Sequence, residues 1–165
     1  MAVKATLAQV LTELQGWHDP QEFNLVVLLV PAAQAWSTRQ RLIACWSNTV
    51  DFDAEVIAKL VASDWSAALA AERAGRGEPL RTALRQVTDD LADRVGSRPL
   101  VVTDVNLPLL ADWDAYGQQL YVASAKGLVV LAVVGRVEDG RVCLHGRCSI
   151  LAEDCTTVVE LQEEP

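Results

Sequence analysis

The chain has 165 residues, 51% hydrophobic and 22% charged, which suits one domain with an ordinary core and excludes a disordered chain. A formal net charge of −8 lacks the basic footprint of general nucleic-acid binding. No apolar run reaches the roughly 18 residues of a membrane span, and MAVKATLAQVLTELQ has helical periodicity rather than the form of a secretion signal, so a cytoplasmic protein without membrane contact is expected.

In chain order, Val3, Leu7, Val10, Leu11, Leu14 and Trp17 recur at three- and four-residue spacing and predict an amphipathic first helix, with Gly16 as its stop. WHDPQEF turns into NLVVLLV (Asn24–Val30), a continuous apolar run of buried parallel-strand type. The link PAAQAWST (Pro31–Thr38) leads to a short helix ending near Trp46, with Leu42, Ile43 and Trp46 on one face. Thr49–Phe52 is a short extended piece. Asp53 is a good N-cap for a long helix burying Val56, Ile57, Leu60, Val61, Trp65 and Leu69.

The polar break RAGRGEP (Arg73–Pro79) follows, and Pro79 opens a helix whose stripe is Leu80, Leu84, Val87, Leu91 and Val95. LVVTDV (Leu100–Val105) reads as a second buried strand and Asp112–Ala125 as a helix that Gly127 ends. LVVLAVV (Leu128–Val134) is the third apolar strand. Glu138–Arg141 carries the Asp-Gly signal of a tight hairpin, and TTVVELQ (Thr156–Gln162) is a final strand. Strands alternating with helices predict a three-layer α/β domain: a mostly parallel sheet covered on both faces, ending in an antiparallel hairpin.

A nucleotide site in such a fold begins with the loop GxxxxGK[ST], whose amides cradle phosphate while lysine neutralises charge and the hydroxyl holds magnesium. Laid on that template, Pro31 takes the first glycine, Trp36 the second and Ser37 the lysine, and only Thr38 keeps its type. LVVTD has the form of a Walker B strand, with Asp104 placed to hold magnesium through water, but Val105 stands where a water-activating glutamate would follow. Thr38 and Asp104 are therefore the residues of a vestigial nucleotide site, and each also has a structural reading, as a helix-start hydroxyl and as a loop cap. Ligands in open α/β sheets bind beyond the strands' carboxyl ends, a rim that collects Pro31–Thr38, Asp51, Asp53, Asp104, Asn106 and Arg136. Arg39 and Arg41 are either substitutes for the lost lysine or, more simply, solvated helix positions.

Other constellations are poorer. Cys143, His145, Cys148 and Cys155 are spaced CxHxxCx6C, unlike the paired knuckles of structural zinc, so buried thiols are the simpler reading and a zinc module the alternative. His18 and His145 are the only histidines, and neither has a nucleophile at motif spacing. Asp89/Asp90, Asp112/Asp114 and Glu163/Glu164 belong on solvated faces or tails. Trp46 and Trp65 fit helix cores, whereas Trp36 in the link is either an interface anchor or a filler of the vacant phosphate pocket.

NLVVLLV with its loop, TVDFDAEVIAKLV, EPLRTALRQVTDDLA, PLVVTDVNLPLL and GLVVLAVVGRVEDGRVCL together resemble, over roughly residues 24–145, the small P-loop protein (BrxF-like) of BREX-type phage-exclusion systems. The resemblance implies a P-loop NTPase-like domain with a RecA/AAA-like core, here spanning residues 1–165. Only Thr38 and Asp104 match nucleotide-site positions, while Pro31, Gln34, Trp36 and Ser37 depart, so the chain looks like a degenerate member. The expected function is that of a non-catalytic scaffold without cofactor, acting through protein partners in an anti-phage defence or DNA-processing complex, with a homo-oligomer also compatible. The alternative is a divergent ATPase or switch using ATP and magnesium, with arginine in place of lysine.

Overall fold

Central to the structure, a computed structural model, is the strand β2 (Leu25–Val30), buried along its whole length. The described residues are 3–16, 23–75, 77–111, 113–139, 141–144, 147–149 and 157–162. Alternate side chains of β2 serve two cores: Leu25, Val27 and Leu29 on one face, Val26, Leu28 and Val30 on the other. That two-residue period is why the run is apolar throughout.

The sheet order is β1 (Val3–Ala5), β8 (Thr157–Leu161), β2, β5 (Val129–Glu138), β4 (Leu100–Thr103) and β3 (Thr49–Asp51), with every neighbouring pair parallel. β5 outruns this body: Gly135–Glu138 pairs antiparallel with β6 (Arg141–Leu144), which pairs with β7 (Arg147–Ser149). Asp139, at φ 48°, makes the turn between them, and Gly140 lies outside the described residues.

Helices cover both faces. The first core packs α3 (Phe52–Ala62), α5 (Glu78–Arg94) and α7 (Trp113–Ala123) on the sheet through Phe52, Val56, Leu84, Leu91 and Leu120. The second packs α1 (Leu7–Gly16) and α2 (Ala35–Cys45) through Leu7, Val10, Leu14 and Leu42. With α4 (Trp65–Arg73) and α6 (Asn106–Ala111), seven α-helices are present among the described residues. The result is a three-layer α/β fold with a mostly parallel sheet. Gly127, just before β5, is required by close approach: a Cβ there would stand 2.1 Å from the Gly96 carbonyl oxygen. No described helix is long and apolar enough to cross a membrane.

Several expected boundaries are corrected. Val3 belongs to the edge strand β1, paired with Val159, rather than to the first helix. That helix instead starts with a capping box, in which the Thr6 amide donates to Gln9 Oε1 (2.9 Å) and the Gln9 amide to Thr6 Oγ1 (3.3 Å). Trp17 lies outside the described residues. The predicted long third helix breaks at Ser63–Asp64, because the Asp64 carboxylate accepts from the Ala67 amide (3.0 Å) and caps a new helix. Of its expected core positions Val56 is buried, but Ile57, Val61, Trp65 and Leu69 are exposed. α6 and β7 were not expected. Thr157–Leu161 enters the sheet as a parallel strand between β1 and β2.

Candidate functional site

The junction from β2 to α2 differs most from a phosphate-binding loop. Pro31, at φ −58°, leads straight into a 3-10 turn over Ala32–Gln34, and α2 begins at Ala35. The helix thus starts before Thr38, because proline pre-sets the backbone and the alanines and glutamine that follow are good helix formers, with no glycine to hold the chain open. The Gln34 amide already donates to the Pro31 carbonyl (2.9 Å), and the Ala35 amide to Ala32. Ser37 Oγ, at the lysine position, donates to the Gln34 carbonyl (3.1 Å).

Beyond this junction a cleft of about 340 Å³ opens at the carboxyl ends of β2, β5 and β4. From β2 the chain crosses toward β3 on one side, and from β5 toward β8 on the other, so the cleft sits at a topological switch point. Its size is at the small end of ligand pockets. Val30, Leu42 and Val133 give it apolar walls, and Trp36, Thr38, Arg39 and Asp104 give it its chemistry. Thr38 is 3% exposed and Trp36 69% exposed.

Arg39 is the centre of the site rather than a solvated helix position. Its Nη2 donates to Asp51 Oδ2 at 2.8 Å, and its Nε stands 2.9 Å from Asp104 Oδ2. The second contact is shielded from solvent and poorly aligned as a hydrogen bond, so it is chiefly Coulombic. The guanidinium carbon lies 6.0 Å from the Trp36 ring centroid, at the outer limit of a cation–π contact. With side chains 28%, 27% and 40% exposed for Arg39, Asp51 and Asp104, solvent screening keeps the energetic worth of these pairs modest.

The three aspartates of the rim have separate tasks. Asp51 ends β3 and caps α3, its Oδ1 accepting from the Ala54 amide (2.9 Å); the cap is Asp51, not Asp53, because the helix starts at Phe52. Asp53 reaches across to the next junction instead. Its carboxylate accepts from the Asn106 amide (3.2 Å), Asn106 Nδ2 (2.9 Å) and the Leu107 amide (2.9 Å). Asp104 sits in the left-handed region at φ 54°, which aspartate tolerates better than most residues, and its carbonyl accepts from the Asp53 amide (3.0 Å).

Thr38, Asp104 and Asn106 thus line one cleft, and Asp51 joins it through Arg39. Arg136 does not line it: it lies on the β5 extension, ion-paired with Glu138. Trp46 is buried as expected, whereas Trp65 is exposed. Asp90 pairs with Lys59 (2.7 Å) and Asp89 accepts from Gln119, which gives both carboxylates surface partners. Of the zinc set, Cys143 on β6 is buried and in register with Cys148 on β7, while His145 and Cys155 lie outside the described residues. A magnesium triphosphate does not fit the donor set of the cleft, since the Gln34 and Ala35 amides are bonded within the turn and a guanidinium stands against Asp104. The chain matches no family model, no curated protein and no solved structure.

Proposed function

We propose that this chain is a non-catalytic adaptor on a P-loop-NTPase-like core, its nucleotide site closed, acting through protein contacts. The observation that carries this reading is the β2–α2 junction, where the Gln34 and Ala35 amides bond within the turn instead of facing a phosphate. Triphosphate binding at such a place relies on free amides and a helix N-terminus. The placement of Arg39 adds to it, since a fixed cation stands beside Asp104 where magnesium would neutralise that carboxylate. The strand order supports kinship with RecA- and AAA-type cores: one strand, β5, separates β2 from the Asp104-bearing β4, as in those folds.

The setting is a multi-component anti-phage defence or DNA-processing assembly of the BREX type, the choice resting on the sequence resemblance alone. The net charge of −8 favours proteins over a phosphate backbone as direct partners. The test is calorimetric titration of the chain with ATP and ADP, with and without magnesium, alongside co-purification with the products of neighbouring genes. No magnesium-dependent heat and a stable complex are expected. Saturable magnesium-dependent binding at micromolar nucleotide overturns the reading.

A further inference from the structure

We propose that the cleft at the ends of β2, β5 and β4 receives an arginine side chain from a partner protein, with Trp36 as its platform and Asp104 as its counter-charge. The inference deepens the adaptor reading and rests on it, because a cleft holding nucleotide has no room for this occupant.

Charge gives the first reason. Asp51 and Asp104 share one cation, Arg39, so two carboxylates meet one guanidinium in a chain whose net charge is −8. That excess repels phosphate and attracts a cation. Asp104 also keeps an open acceptor: Oδ2 faces Arg39, while Oδ1 has no partner among the described residues and the side chain is 40% exposed.

Thr38 gives an independent reason. It is 97% buried on the 3% exposure quoted above, lines the cleft, and its hydroxyl has no hydrogen-bond partner among the described residues. Its oxygen is not among the enclosed unpaired atoms, which are Arg39 Nε and Asp104 Oδ2, so solvent reaches it from the cleft and it can accept an N–H from an incoming donor. A guanidinium, with donors in a planar fork and no acceptor, suits a carboxylate oxygen and a hydroxyl oxygen together.

The remaining walls fit the rest of the side chain. Val30, Leu42 and Val133 are apolar, matching a methylene stem that buries while its head stays charged. Trp36, 69% exposed at the rim, offers the aromatic face on which arginine stacks better than lysine. An exposed tryptophan beside a concave apolar patch is also the residue type that dominates interface energies.

The test is titration of the 15N-labelled chain with N-acetyl-arginine methylamide, which mimics the side chain within a peptide, read at the Trp36 indole and the Thr38 and Asp104 amides. Saturable shifts confined to these groups are expected. N-acetyl-citrulline methylamide, equal in shape but uncharged, gives no saturable shift. Asp104→Asn, whose new side chain also tolerates the left-handed backbone, weakens binding roughly tenfold, and Trp36→Ala, an exposed change that leaves the core intact, about fivefold. No saturable shift, equal binding of the citrulline probe, or binding unchanged in both variants overturns the proposal. Free arginine binding as tightly as the blocked probe also overturns it, since the site would then take a metabolite. Magnesium ATP is added in a separate arm. Shifts at the same residues defeat the adaptor reading itself, whereas silence from both nucleotide and arginine probe defeats this inference alone.

Discussion

Two kinds of strand-to-helix junction meet at the cleft, and they are built in opposite ways. Between β2 and α2 the backbone closes on itself, with no side-chain cap at either the 3-10 turn or the helix start. Between β3 and α3, and between β4 and α6, carboxylates hold the turns: Asp51 caps its own helix, and Asp53 caps the neighbouring one. Where a nucleotide-binding core needs bare amides, this chain bonds two of them, those of Gln34 and Ala35, within the turn. Where such a core needs a carboxylate for metal, this chain gives Asp104 an arginine. Side-chain chemistry at the rim is therefore spent on joining elements, which leaves apolar walls and an excess of carboxylate for recognition.

The strongest way to break that comparison is at Asp53. It accepts three hydrogen bonds that tie α3 to the start of α6, so Asp53→Ala is expected to cost about 2–3 kcal/mol, read as a lowered urea midpoint at unchanged slope. Asp53→Asn recovers roughly half of that, because one amide oxygen can still accept. A loss below that of Asp51→Ala would show that the two carboxylate junctions are not coupled as described. Asp51→Ala comes next, at about 1–2 kcal/mol: a lost N-cap of about 1 kcal/mol and a smaller part from its solvent-screened pair with Arg39. Adding 1 M salt should shrink the second part and leave the first; a uniformly salt-insensitive loss would argue that the arginine contact contributes nothing.

The contrast also explains what could be read in advance. The apolar runs of β2, β4 and β5, and the stripe Leu84, Val87 and Leu91, were legible because burial on two faces or on one helix stripe leaves a period in the sequence. β1 was not, since three residues in a helix-like stripe carry no period of their own, and only pairing with β8 makes them extended. The capping box of Thr6 and Gln9 and the cap at Asp64 are written in the sequence, but the apolar stripes that run across them give the stronger period. At the site, Thr38, Asp104 and Asn106 were placed on the rim from strand and helix ends. The role of Arg39 was invisible, because its partners lie 12 residues away at Asp51 and on another strand at Asp104, and only the sheet order brings them together. Asp53 misled for a similar reason: as a helix cap it has the right type, but one residue's difference in helix start hands that task to Asp51.

The smallest expected effect is the most informative about the closed junction. Trp36→Gly with Ser37→Lys returns two template residues to the loop, yet phosphate release at saturating magnesium ATP should stay at the blank rate. Pro31 still directs the chain into the 3-10 turn, the Gln34 and Ala35 amides remain donated to Pro31 and Ala32, and Arg39 keeps its contact with Asp104. Adding Pro31→Gly completes GxxxxGK[ST] over positions 31–38 and frees the turn; this triple variant should gain magnesium-dependent nucleotide binding without turnover, because Val105 still stands where a water-activating group is needed. Turnover in the double variant would mean that the turn opens on its own, and that the difference between the two kinds of junction is one of side chains rather than of backbone.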